Sequence, residues 1–333
     1  MINTKFKNKI LLITGGTGSF GQFLVEYLLQ NKFPLKKIII YSRDELKQFE
    51  MKKKFDEKKY TQLRYFIGDI RDLNRLKLAV RDTDYIIHAA ALKQVPTAEY
   101  NPIEFIKTNI YGAQNLIEAC LESKVSKVIA LSTDKASSPI NLYGATKLCS
   151  DKLFITANNI IGKQNIKFGV VRYGNVMGSR GSVLDTFLEQ KEKGVISITD
   201  KNMTRFNISL RECANITLNA LVLLKGGEIF VPKIPSFKIL DLAKAICPNC
   251  KIKITGIRPG EKIHEEMISY YDSGATIEKN KYYIIVNQQY LEKYKKSKFK
   301  LVKNNFIYRS DLNDKKLSIN QIKEIIKNYK NII

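Results

Sequence analysis

Directly after the apolar run Ile10-Leu11-Leu12-Ile13 comes Thr14-Gly15-Gly16-Thr17-Gly18-Ser19-Phe20-Gly21, and a segment of helical period, Phe20 to Gln30, follows at once. Few folds accept this order. A buried strand must turn sharply into a helix that packs back onto it. Gly15 and Gly18 permit the turn and a close backbone approach, and Gly21 lets helix and strand touch. The helix N-terminus also offers amide N–H groups that suit a phosphate. In this context the motif reads as a pyrophosphate cradle for a dinucleotide, with Gly15, Thr17, Gly18, Ser19, Phe20 and Gly21 as its candidate contacts.

The same alternation continues. Lys9–Gly15, Lys37–Ser42, Leu63–Gly68, Tyr85–Ala90, Lys127–Thr133 and Phe168–Gly174 are short Ile- and Val-rich runs. They are continuously apolar, as strands buried on both faces must be. Helical-period segments such as Pro102–Ser123 and Leu142–Asn159 lie between them. This predicts an α/β fold, a doubly wound parallel sheet of Rossmann type. After Gly174 the loops carry Gly, Pro and Arg, which predicts a smaller, interleaved α/β region over the carboxyl ends of the strands. The expected division is 1–174 with 206–232 returning to the sheet, and 175–205 with 233–333 as a substrate-binding region.

The second strand ends at Ser42-Arg43-Asp44, a hydroxyl and a guanidinium where an NAD site would carry an acidic residue. That pair suits a 2′-phosphate, so the expected cofactor is NADP. The alternative is that Arg43 merely pairs with Asp44 or Glu45 at a helix start. Asp69 and Ile70 follow the third strand and are placed at the adenine edge. Ala89 and Ala91 follow the fourth, where small residues let the backbone lie against the cofactor.

Ser132-Thr133-Asp134-Lys135 closes the fifth strand, and Tyr143 and Lys147 sit one turn apart on the helix after it. An ammonium beside a phenol favours the phenolate, which makes Tyr143 an expected base near neutral pH. Lys147 is also expected at the nicotinamide ribose. Such a pair is common on amphipathic helices; its place after the fifth strand of a glycine-motif sheet gives it meaning. Near the sixth strand's end, Asn175, Ser179, Arg180 and Val183 form a candidate diphosphate site, and Arg258 and Glu261 offer a second guanidinium and a carboxylate for ribose hydroxyls.

Together, TGGTGSFG, Thr133 and Tyr143-x-x-x-Lys147 resemble the extended short-chain dehydrogenase/reductase family. The segments YSRDELKQFEM, HAAALKQVPTAEYNP, LSTDKASSPINLYGATKLCSDKLF, VRYGNVMGSRGSV, MTRF, GGEIFVPKIPS and GIRPGEKIHEEM bring the resemblance closer, to the inverting UDP-N-acetylglucosamine 4,6-dehydratases of pseudaminic acid synthesis. It runs from about Thr14 to Met267. The resemblance implies oxidation at C4, loss of water across C5 and C6, and hydride return to C6. It makes Asp134 the acid at the C6 hydroxyl and Lys135 the base at C5, with Tyr143 at C4 and in C5 inversion. Related dTDP-glucose dehydratases carry an Asp-Glu pair at those two positions, and retaining relatives usually carry Met at the tyrosine. A lysine base must be neutral, which burial or the nearby cations Lys93 and Lys147 would favour. The resemblance also brings Asp44, Leu46, Lys47 and Lys93 to the cofactor, and Lys93, Asn175 and Thr199 to the sugar nucleotide, with Arg205 of MTRF a further candidate there. Arg205 reads equally as an ion-paired structural residue. Asn207 departs from the Trp expected there. The implied substrate is UDP-N-acetylglucosamine and the implied assembly a homo-oligomer, with a hexamer possible. An epimerase on the same fold has no use for Asp134-Lys135, and a non-catalytic dinucleotide-binding protein would be free to lose Tyr143, Lys147 or Lys135.

The formal net charge of +24 raises the question of nucleic acid. The excess is mostly Lys, dispersed, and accompanied by many Ile and Asn, so composition bias explains it and no nucleic-acid partner is expected. Five Cys do not make a disulfide scaffold, and Cys247-Pro248-Asn249-Cys250 is expected to be two thiols near a helix end. His88 and His264, without ligand spacing, are read as structural, with no metal expected. The N-terminal apolar stretch runs into the glycine turn rather than a cleavage site, and no apolar run approaches a bilayer span, so a cytoplasmic location with no membrane partner is expected.

Overall fold

A computed structural model describes residues 2–178, 182–287, 291, 294 and 299–330. The first half alternates strands β1 (Ile10–Thr14), β2 (Lys37–Ser42), β3 (Leu63–Ile67), β4 (Tyr85–His88), β5 (Lys127–Thr133) and β6 (Lys167–Tyr173) with helices. These helices are α1 (Ser19–Gln30), α2 (Glu45–Lys54), α3 (Leu73–Val80), α4 (Val95–Tyr100), α5 (Pro102–Phe105), α6 (Gly112–Leu121) and α7 (Leu142–Thr156). Then come β7 (Asn175–Val176), α8 (Val183–Lys191), β8 (Val195–Ile198), β9 (Thr204–Ile208), α9 (Leu210–Leu223), β10 (Ile229–Pro232), β11 (Ser236–Lys238), α10 (Ile239–Ile246) and β12 (Lys251–Ile254). The chain ends with β13 (Glu266–Ile268), β14 (Thr276–Glu278), β15 (Tyr282–Ile285), β16 (Lys300–Leu301), β17 (Tyr308–Arg309) and α11 (Ile319–Lys330).

The main sheet has the order β16-β14-β15-β10-β6-β5-β4-β1-β2-β3. From β3 to β10 all neighbours are parallel. The chain winds outward from β1 in both directions, so the carboxyl ends of β1 and β4 flank the crevice where such sheets take ligands. All five residues of β1 are buried, as the continuous apolar pattern requires. The edge strand β3 departs from that pattern and is partly exposed, since only one neighbour covers it.

Three features differ from the sequence expectation. The helix expected over 102–123 is present from Pro102 to Leu121, but a π-helical segment, Ile106–Tyr111, lies within it between α5 and α6. This extra residue per turn aims Asn109 inward, where its side chain bonds Leu92 N and O, both at 2.9 Å, and Thr146 Oγ1 at 3.0 Å. The loop after β4 is thereby tied to α7. Second, the region 233–333 is not all substrate domain. β15, β14 and β16 extend the main sheet antiparallel beyond β10, because Ile277, Ile284 and Ile285 complete the main core. Third, Cys247 caps α10 as expected, but it is bonded to Cys250. Two intervening residues at a helix end bring the Cα atoms to 5.4 Å, within disulfide reach.

The smaller region has its own core. Leu184 and Phe187 of α8, Ile196 and Ile198 of β8, Leu242 and Ile246 of α10, and Ile322 of α11 pack together. A three-stranded sheet, β11-β9-β7, joins it to the end of β6. No described helix is long and apolar enough to cross a membrane.

Candidate active site

A cleft of about 1120 Å³ runs between the carboxyl ends of the sheet and the smaller region. At one end lies the glycine turn. Gly15 adopts φ +66°, and a Cβ there would meet the Ala90 backbone at 2.8 Å. A Cβ on Gly21 would strike Gly16 O at 2.5 Å, so the α1 start can sit on the turn only with glycine there. Thr17 Oγ1 and Ser42 Oγ share a hydrogen bond of 2.7 Å, which ties the turn to the end of β2. Arg43 reaches Asp69 at 3.6 Å rather than either acidic neighbour at the start of α2. Asp44 caps α2 by accepting from Lys47 N at 3.0 Å and Lys47 Nζ at 2.6 Å. Of the expected cofactor contacts, Leu46 is the exception: it is 66% exposed and does not line the cleft, because it points outward from the first turn of α2. The rest, Ile70, Ala89, Ala91 and Lys93 included, line it. The geometry fits a dinucleotide, with a backbone cradle that any Cβ would fill and a hydroxyl and guanidinium at the end of β2.

Midway, Thr133 closes β5 and its hydroxyl donates to Asp134 Oδ1 at 3.0 Å. Asp134 opens a single 3-10 turn and is wholly buried. Lys135 Nζ lies 3.1 Å from Asp134 Oδ1. Asn141 caps α7 by accepting from Gly144 N at 2.8 Å, which sets the first turn of the helix and with it Tyr143; Lys147 follows one turn on, and both line the cleft. The surroundings oppose two electrostatic expectations. Burial pushes the Tyr143 phenol up to about 12, and the counteracting pull of Lys135 and of a Thr133 hydrogen bond is too weak to reverse it. Burial does pull Lys135 toward the neutral amine, but the carboxylates of Asp134 and Glu265 outweigh it and hold the ammonium above its ordinary range. Lys147 and Lys93 are both lowered by burial.

At the far end, Asn175, Val183, Thr199, Arg205, Arg258 and Glu261 line the cleft, while Ser179 and Arg180 lie outside the described residues. Arg258 is exposed and grips Glu261 with Nε at 3.2 Å and Nη2 at 3.1 Å, so the expected pair of substrate groups face each other here.

The protein family described as "Polysaccharide biosynthesis protein" matches residues 11–287. The chain belongs to that family. It is 54% identical over 331 residues to the UDP-N-acetylglucosamine 4,6-dehydratase (inverting) of Campylobacter jejuni, covering 96% of this chain and 98% of that protein. It is 43% identical over 287 residues to a UDP-glucose 4-epimerase of Rickettsia bellii, covering 84% of this chain and 83% of that one. Among solved structures, Pen from Bacillus thuringiensis gives a TM-score of 0.88 at 38% identity, over 98% of this chain and 99% of that one. These findings agree with the resemblance drawn from the motifs.

The remaining residues around the cleft divide into those the sequence names and those it leaves silent. Arg205 is buried and donates to the carbonyls of Thr204, Ile263 and Lys262 at 2.7, 3.0 and 3.0 Å, which braces the 258–265 loop; its structural role is visible, although it also lines the cleft. Glu265, buried at 2% exposure, reaches Lys135 Nζ at 2.9 Å. Its backbone N–H donates to Ser310 Oγ at 3.0 Å, so the C-terminal segment, which the sequence leaves silent, fixes a residue of the site. Asn207, buried at the cleft, pairs in register with Asn175 between β9 and β7. His88 Nδ1 bonds Thr14 Oγ1 at 2.7 Å and His264 Nδ1 bonds Thr204 Oγ1 at 2.9 Å, both within the framework.

Proposed function

We propose that the protein is a UDP-N-acetylglucosamine 4,6-dehydratase (inverting), a hydro-lyase acting on a nucleotide sugar. The observation that carries this reading is the Asp134-Lys135 pair, its carboxylate wholly buried, beside Tyr143 and Lys147 in one cleft, within a chain that matches the Campylobacter jejuni enzyme over nearly its whole length. A nicotinamide dinucleotide supplies hydride acceptance at C4 and hydride donation at C6. The residues of this chain do the proton work. Tyr143 takes the C4 hydroxyl proton, and Lys135 and Thr133 are the groups that favour its phenolate against burial. Lys135 takes the C5 proton, acidified by the C4 ketone. Asp134 protonates the departing C6 hydroxyl, and Tyr143 returns its proton to C5 from the opposite face. The product of that sequence is UDP-2-acetamido-2,6-dideoxy-β-L-arabino-hexos-4-ulose, the expected first intermediate of pseudaminic acid synthesis.

The Ser42 and Arg43 pair supports NADP as the dinucleotide, since Arg43 stands 54% exposed at the cleft wall with a guanidinium able to meet a 2′-phosphate. Asn175, Thr199, Arg258 and Glu261 are the residues proposed to hold the UDP-sugar, the Arg258–Glu261 pair opening to do so. A homo-oligomer would cover the exposed Tyr100, Ile103 and Tyr111. The epimerase reading draws on the Rickettsia bellii relative. It leaves the buried Asp134-Lys135 pair without a task, and it predicts a C4 epimer of unchanged mass. The dehydratase reading predicts a product lighter by one water, which mass spectrometry separates directly.

A further inference from the structure

Asp134, Lys135 and Glu265 form one buried cluster. The single ammonium of Lys135 lies between two carboxylates, 3.1 Å from Asp134 Oδ1 and 2.9 Å from Glu265 Oε1. Both carboxylates are almost fully buried. One ammonium cannot balance two such anions at no cost, because an uncompensated buried charge is strongly disfavoured. Their surroundings decide which of the two keeps a proton. Glu265 also faces the Arg205 guanidinium, with Nε at 3.7 Å, and the field of the Lys262 ammonium. Asp134 faces the Thr133 hydroxyl, the Tyr143 phenol and Glu265 itself. Besides Lys135, Arg205 and Lys262 both favour charge on Glu265, whereas Asp134 has only the weaker pull of Lys262.

The oxygens of Asp134 are also unequal. Oδ1 accepts from Thr133 at 3.0 Å and from Lys135 at 3.1 Å, whereas Oδ2, like Glu265 Oε2, has no hydrogen-bond partner among the described residues. Oδ2 sits where a Cβ on Gly174 would come within 3.4 Å, and Asp134 lines the cleft. This is the oxygen placed to carry a transferable proton.

We propose that Glu265 is a positioning residue that holds the negative charge of the cluster and so leaves Asp134 with the proton it must deliver to the C6 hydroxyl. The proposal deepens the dehydratase reading and rests on it. In the step it serves, the Asp134 O–H bond breaks, the proton passes to the C6 oxygen, and that oxygen leaves as water with the electron pair of the C6–O bond. Lys135, once it has taken the C5 proton, replaces the one Asp134 has lost. The amine that takes that proton arises when Lys135, partly exposed on the cleft, loses one Nζ proton to solvent, so Glu265 keeps its charge throughout. The opposite directions of the two carboxyl groups agree. Burial and the Glu265 charge raise Asp134, while Lys135 and Arg205 overcome burial and hold Glu265 below its ordinary range.

The test is infrared spectroscopy of the full-length protein at neutral pH, reading the carbonyl stretch of a protonated carboxyl. The wild type should show such a band, and Asp134→Asn should remove it. In Glu265→Gln the band should vanish at neutral pH and return on acidification, while Glu265→Asp should keep it. Turnover of UDP-N-acetylglucosamine by Glu265→Gln should fall about 100-fold, with KM changed by less than about threefold and C4 oxidation, followed as reduced dinucleotide, intact. Glu265→Asp should recover most of the loss. Absence of an Asp134-dependent band in the wild type, which needs no folded Glu265 variant, overturns the proposal, as does a band unchanged in Glu265→Gln. The bands need no substrate, so a failure of turnover would count against the dehydratase reading and leave the charge assignment intact.

Discussion

At the cofactor end of the cleft the pyrophosphate and adenosine wall follows closely on the carboxyl ends of main-sheet strands: the glycine turn after β1, Ser42 and Arg43 at β2, Asp69 after β3, Ala89 after β4. At the sugar end the catalytic turn after β5 is completed from elsewhere. Glu265 arrives from a loop before β13, Arg205 braces that loop from β9, and Ser310 anchors it from the C-terminal segment. The first end is a local consequence of strand, turn and helix. The second exists only after distant segments have folded together, so it is the end at which charge can be tuned and chemistry altered without touching the cofactor cradle.

The largest effect that can break this division is at the junction. Tyr143→Phe removes the group proposed to serve both C4 and C5, and kcat should fall about 1000-fold or more while dinucleotide affinity measured by calorimetry stays within a few-fold. A large loss of affinity would mean the two ends are not separable. A medium effect is expected purely at the cofactor end. Arg43→Ala should weaken NADP binding about tenfold to a hundredfold and leave NAD binding nearly unchanged; equal losses for both would return Arg43 to the ion pair with Asp69 as its only role. The smallest is at the sugar end. Ser310→Ala removes the hydroxyl that accepts from Glu265 N and shares a 2.6 Å bond with Thr204 Oγ1. It should lower stability by about 1 kcal/mol and raise KM for the sugar nucleotide a few-fold, with dinucleotide affinity untouched.

The same division explains what the sequence made legible. The glycine turn, the strand ends and Tyr143-x-x-x-Lys147 are short-range patterns with one structural meaning, and the structure brings them into one cleft. The protonation of Lys135 was not legible. Burial and the cations Lys93 and Lys147 suggest a neutral amine, but the carboxylates of the adjacent Asp134 and of Glu265, the second a contact made only by tertiary folding, hold the ammonium. The π-helical segment at Ile106–Tyr111 escaped for a related reason: apolar periodicity continues through it, while the contacts of its Asn109 with Leu92 and Thr146 are made by tertiary folding. The strands β14 to β16 are too short and too mixed in character to announce that they finish the main sheet. Leu46 fits the cofactor motif by position alone, and helix geometry turns it away.

The central claim is that the sugar end performs a dehydration with inversion at C5. It is tested most directly by incubating the purified protein with UDP-N-acetylglucosamine in deuterated water and examining the product by mass spectrometry and NMR. The account predicts a 4-keto product that has lost one water and carries deuterium at C5 in inverted configuration. Deuterium at C5 with retained configuration would contradict the return of a proton by Tyr143 from the opposite face, and recovery of a C4 epimer of unchanged mass would contradict the dehydration itself.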